Sequence, residues 1–269
     1  MKHLKFMLVN IVVVTFLYAA LIQAKELPIL EPNLVDLSPE DATLVIESML
    51  NIGHQSFDFS HIGKHINLFK QIAQASNKKI VIVGAQLQDL KELKAEFGCS
   101  AGIAWSENGI GKSQLTELKN NRFLFDEGDQ GVNQQSVNPL FFEDKKNIFF
   151  KLSFDLAQKI NVNDLLHKVL ILHDLKGKGK ATPIVSLPVQ DGAYTNVDPA
   201  LLTIAQDFDS KLYQVLFSLL NQMGIHIIPV ITKPVTPELS QEMMNSFELR
   251  FNSDQWSSLK HLPRLEARL

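Results

Sequence analysis

Short apolar runs alternate along this chain with stretches whose apolar residues recur every three or four positions. That alternation narrows the fold more than any other feature. Strands separated by helices are joined by crossovers, and crossovers make neighbouring strands parallel. Residues 61–76 carry Ile62, Ile66, Phe69 and Ile72 at helical spacing, and residues 79–85 follow as a β-branched run closed by Gly84. Leu87, Leu90, Leu93 and Phe97 then mark a helix ended by Gly98, and residues 101–105 read as the next strand.

The same alternation continues through the second half. Residues 147–154, 169–173, 183–186 and 225–231 read as strands, and residues 126–143, with Gly128, Gly131 and Pro139, as a long loop. Leu201, Ala205, Phe208, Leu212, Val215, Leu219 and Met223 predict one long amphipathic helix stopped by Gly224. Ser38, Pro39, Glu40 and Asp41 open an earlier helix with a cap, a first-turn proline and two acids, and Thr236, Pro237 and Glu238 open a last one. Together these elements predict an α/β fold, a mostly parallel open sheet with helices on both faces, in one domain over residues 39–269. A (β/α) barrel is the alternative architecture.

Ahead of this body lies a segment of different character. Lys2, His3 and Lys5 form a basic start, residues 6–22 are almost wholly apolar, and Gln23 to Glu26 return to polar residues. That order matches a signal peptide over residues 1–24 and predicts export to the periplasm or beyond; an uncleaved N-terminal anchor is the alternative, and the only membrane contact expected. Residues 25–38 read as an extended lead. The body has globular composition, with 45 % hydrophobic and 20 % charged residues. Cys99 is the sole cysteine, which excludes an intramolecular disulfide. The net charge of −3 lacks the basic excess that displaces counterions from phosphates, and a nucleic-acid partner is not expected.

In either architecture, ligands bind where strands end and loops begin. The run 169–173 would end at His173 and Asp174 and lead into Lys176, Gly177, Lys178 and Gly179. A histidine beside a carboxylate suits general acid–base work, and the lysines suit an anionic substrate, so His173, Asp174 and Lys176 are the catalytic candidates. His61 and His65 are one helical turn apart, a spacing that presents two ligands to a divalent metal, although Ile62 stands where a zinc-protease motif needs glutamate. Otherwise no cofactor is indicated. Residues 106–113, SENGIGKS, match only the end of a phosphate-binding loop, with Ser106 in place of its first glycine. Asp126, Glu127 and Asp129 offer carboxylates without EF-hand spacing, and Asp191, Gly192, Tyr194 and Asn196 offer a polar loop.

Two functional readings follow. The favoured one is a hydrolase with its site at the C-terminal ends of the strands. The alternative is a non-catalytic partner-binding or envelope-assembly component using an apolar patch near Phe141, Phe142, Phe149 and Phe150, with a protein as partner. The sequence names neither a substrate nor a small-molecule ligand.

Overall fold

The computed structural model describes residues 27–78, 80–86, 103–105, 122–126, 148–152, 154, 158–177, 182–260 and 262. Its strands are β1 (Glu31–Pro32), β2 (Ser56–Asp58), β3 (Val81–Gln86), β4 (Ile103–Trp105), β5 (Arg122–Asp126), β6 (Ile148–Leu152), β7 (Ile160–Asn161), β8 (Thr182–Pro188), β9 (Tyr194–Thr195) and β10 (His226–Ile231). Eight of them pair in the order β1-β10-β8-β6-β5-β4-β3-β2, every pairing parallel. A parallel bridge between Leu30 and Phe57 joins the two ends of that series. The α/β class and the parallel pairing hold, but the sheet is a closed barrel of eight strands, the alternative architecture, rather than an open sheet. β7 and β9 form a separate parallel pair.

The open sheet was expected because β1 and β2 are too short to display periodicity. β1 ends on a proline inside the stretch read as a lead. Beside the β1–β10 ladder, the seam is bonded by Leu30 N–H to Ser56 C=O at 3.1 Å, Asp58 N–H to Leu30 C=O at 2.8 Å, and Asn33 N–H to Ile231 C=O at 2.9 Å.

The helices are α1 (Pro39–Ile52), α2 (Ile66–Ala75), α3 (Val162–Gly177), α4 (Pro199–Asp207), α5 (Leu212–Gln222), α6 (Pro237–Ser246) and α7 (Ser253–Ser258). α1 begins as its signals require: the Ser38 hydroxyl accepts from Asp41 N–H, and Gly53, at φ 107°, closes it in a left-handed turn that favours glycine. Its buried Val45, Ile46, Met49 and Leu50 share one core with Leu30, Phe57 and Phe69. Phe69 meets Phe57 and Phe59 edge-on, at centroid separations of 5.0 and 4.8 Å.

Two helical expectations change. Residues 169–173 are not a strand; they lie inside α3. Val162, Leu165, Leu166, Val169 and Leu170 are buried at helical spacing, and the Asn161 side chain accepts from Asn163 N–H at 3.1 Å. The β-branched look of the run hid a period that begins seven residues earlier. The single long helix over 199–223 is instead α4 and α5, broken where Asp209 takes φ 47° and Lys211 N–H is capped by the Gln214 side chain at 2.9 Å.

His54 ties the start of the described chain to α6. It is buried, with Nδ1 at 3.4 Å from the Pro28 carbonyl and Nε2 at 3.3 Å from the Ser240 hydroxyl. A neutral ring serves both, its Nδ1–H donating and its Nε2 accepting. Burial lowers this imidazole from 6.5 to about 4, against the opposing pull of the Pro28 carbonyl. Between those values the unfolded chain holds a proton that the folded chain excludes. Stability is therefore full above pH 6.5 and declines as the pH falls toward 4, by up to about 3 kcal/mol from this residue. Urea unfolding across that range should show the decline, and His54→Gln should flatten part of it.

Candidate active site

Parallel strands place all their C-terminal ends on one face of a barrel, and side chains that point inward near that face meet in layers drawn from alternate strands. Glu31 on β1 and Ser186 on β8 flank β10, where Glu31 is level with Val230 and Ser186 with Ile228. Their side chains meet: the Ser186 hydroxyl donates to Glu31 Oε2 at 2.5 Å. The other carboxylate oxygen, Oε1, pairs with Nδ1 of His61. Glu31 is 1 % exposed, whereas the His61 side chain is 30 % exposed. A buried carboxylate is thus held from both sides, and one of its partners reaches solvent.

His61 is carried by the turn after β2. Asp58, the last residue of that strand, is buried and accepts from Ser60 N–H at 2.9 Å and from the Ser60 hydroxyl, a local Asx-type closure. Leu34 N–H donates to the His61 carbonyl at 3.0 Å, fixing the turn to the loop after β1. Gly63 then takes φ 57°, and a Cβ there would stand 3.5 Å from the Val35 backbone. That left-handed conformation favours glycine, while the space beside Val35 would admit a Cβ in ordinary contact.

The expected metal pair is not assembled. His61 lies in the turn, and His65 ends a 3-10 helix at Gly63–His65, so the two do not share one helix face. The buried His65 ring directs Nε2 to the Leu37 carbonyl at 3.1 Å, while His61 faces Glu31. No group of three or more His, Cys, Asp or Glu is placed to hold a metal among the described residues.

His173, Asp174 and Lys176 occupy the last turn of α3, which leads into the start of β8. A helix that precedes a barrel strand ends beside that strand's N-terminus, so these three positions lie at the opposite end of the barrel from Glu31 and His61. Asp126 ends β5; Glu127, Asp129, Lys178, residues 106–113, Phe141 and Phe142 lie outside the described residues, as do residues 1–26 with the expected export segment. No helix among the described residues is long and apolar enough to cross a membrane. The polar loop at Asp191 to Asn196 follows β8, with Tyr194 buried and its hydroxyl donating to the Pro188 carbonyl at 2.6 Å.

The barrel has solved counterparts. An aldo-keto reductase from a Medee basin deep-sea metagenome library superposes with a TM-score of 0.63 at 14 % identity, over 87 % of this chain and 90 % of that one. An aldo/keto reductase from Brucella melitensis gives 0.59 at 13 % identity, over 87 % and 94 %. A Bombyx mori aldo-keto reductase complexed with NADPH gives 0.56 at 13 % identity, over 87 % and 84 %. This chain has the fold of the solved aldo-keto reductases. No family model matches the sequence, and no curated protein matches it.

These likenesses correct the functional expectation. The solved structures named above, matched over most of their length, are reductases, and they count against both the hydrolase and the envelope-assembly readings. Neither the fold nor the comparisons support a signal segment or secretion. Sequence reasoning also passed over Glu31 and Ser186. Each had a faint signal: a lone acid in the apolar lead LPILEP, and a lone hydroxyl in the apolar strand TPIVSLP.

Removing one side of a buried charged network leaves the rest unsatisfied. Glu31→Ala should lower stability by about 3 kcal/mol, read as a lower denaturant midpoint at unchanged slope.

Proposed function

We propose that this chain is a carbonyl oxidoreductase of the aldo-keto reductase kind, working with a nicotinamide dinucleotide at the C-terminal mouth of its barrel. The observation that carries the reading is the buried Glu31 carboxylate, held between Ser186 and a partly open His61 at that mouth. Such a group handles protons, and reduction of a carbonyl needs proton delivery beside hydride delivery. The fold, common to reductases including one complexed with NADPH, supports the redox half of the reading.

A dinucleotide also needs donors for its phosphates, and barrels of this type supply them after the seventh and eighth strands. Those strands are β8 and β10 here. Lys233, just past β10, is exposed and has no ion-pair partner among the described residues. Gln190 after β8 donates to the Thr232 hydroxyl after β10 at 2.7 Å, which joins the two loops. Among the acids of these loops and the helices that follow them, Asp191 accepts from Tyr213 N–H at 3.5 Å, Asp198 caps α4 by accepting from Ala200 N–H at 2.8 Å, and Glu238 is lowered by its own N–H and by the Thr236 hydroxyl. The donor set fits. Lys233, Thr232 and Gln190 would hold phosphate oxygens, and the bound nicotinamide would supply hydride.

Two measurements on the full chain test this. Titration with NADPH and with NADH, followed by tryptophan quenching, should give saturable binding, and Lys233→Glu should weaken it about tenfold or more. Consumption of the reduced nucleotide should then depend on an added aldehyde or ketone. Failure of both nucleotides to bind overturns the proposal.

A further inference from the structure

A carbonyl oxygen that gains an electron pair must be given a proton by some group that carries one and reaches the substrate. The described residues differ sharply in their ability to do so. Asp58 is buried and turned onto Ser60. His65 is buried on the Leu37 carbonyl, and His54 is enclosed between Pro28 and Ser240. The Tyr194 hydroxyl is committed to the Pro188 carbonyl, and burial, reinforced by Asp191, holds it well above the ordinary phenol range. The Tyr213 hydroxyl donates to Glu242 at 2.7 Å, and burial together with that carboxylate raises it in the same direction.

His61 combines what the others lack. Its ring is 30 % exposed at the mouth, and the carboxylate paired with its Nδ1 is 1 % exposed. Because Glu31 accepts at Nδ1, that nitrogen carries its proton in both charge states of the ring, and exchange runs through Nε2. The Ser186 hydroxyl secures the second carboxylate oxygen, so the orientation of the acid, and through it of the imidazole, is set inside the barrel.

We propose that His61 is the general acid of the reduction, with Glu31 and Ser186 as the residues that position it. This rests on the oxidoreductase reading above. In the forward direction the carbonyl carbon gains hydride, its π pair moves onto oxygen, and that oxygen takes the proton from His61 Nε2. The two-electron loss falls on the reduced nicotinamide dinucleotide, and the neutral imidazole regains its proton from solvent. The titratable groups of the surrounding elements are Glu31 on β1, Asp58 on β2, and Lys64 and His65 in the turn that follows. The acid must be protonated, so kcat for reduction falls as pH rises through the imidazole's titration, and kcat for alcohol oxidation rises.

The test uses the full-length chain and three variants. In His61→Gln, nucleotide affinity by tryptophan quenching should stay within about twofold of wild type, while kcat falls about 10²–10⁴-fold and the alkaline limb of the profile disappears. Ser186→Ala should move that limb to higher pH, because a carboxylate relieved of one donor draws the ring proton more strongly. Glu31→Gln gives a readout independent of turnover: followed by NMR, the His61 ring should titrate at least about one pH unit lower than in wild type. A folded His61→Gln that keeps wild-type kcat and pH profile overturns the proposal, as does an unchanged ring titration in Glu31→Gln. Absence of nucleotide binding by the wild type, with the ring titration behaving as stated, overturns the oxidoreductase reading instead.

Discussion

The structure depends on the seam where β1 closes the barrel. A parallel sheet left open there would expose two edges, one of them on β2, with unpaired N–H and C=O groups in a region otherwise buried. β1 is only two residues long, yet with its flanking residues it bonds to β2 on one side and to β10 on the other. Leu30, completely buried, lies beside Phe57 at the same seam and shares one core with Val45, Ile46 and Met49. The segment that closes the barrel also delivers the acid of the candidate site, since Glu31 follows Leu30 directly.

Burying that acid is costly unless its oxygens are bonded, and this explains how the surroundings are built. One oxygen takes a hydroxyl from β8, across β10, and the other takes an imidazole from the turn after β2. Three separated parts of the chain therefore meet on one carboxylate, and each needs correct strand register to arrive. The turn that carries His61 is in turn held by Asp58 with Ser60, by the Leu34 amide and by the left-handed Gly63. The site is preorganised by hydrogen bonds whose partners are far apart in sequence.

The fold carries a functional consequence that composition concealed. The hydrolase expectation rests on a histidine beside an aspartate at the end of a run that reads as a strand. The barrel changes the meaning of those residues: His173, Asp174 and Lys176 belong to the end of the molecule where conservation of structure, not chemistry, is the usual role of a barrel. The chemistry proposed for this chain lies at the opposite mouth, with Glu31 and His61.

Sequence alone determined the local elements with strong signals. The start of α1 follows from Ser38, Pro39 and the acids after them, the strands β3, β4, β6 and β10 from their β-branched or aromatic runs, and α6 from Thr236 and Pro237. Parallel pairing followed from the alternation of these elements. Tertiary structure decided what local signals are too weak to carry. Whether eight strands close depends on β1 and β2, whose two and three residues are too few for any period to emerge. It also decided that the run around Val169 is helix, because burial of Val162, Leu165 and Leu166 on the same face outweighs a local β-branched appearance. The site was the least legible part: Glu31, His61 and Ser186 are separated by 30 and 155 residues, and no spacing rule relates side chains that only barrel closure brings together.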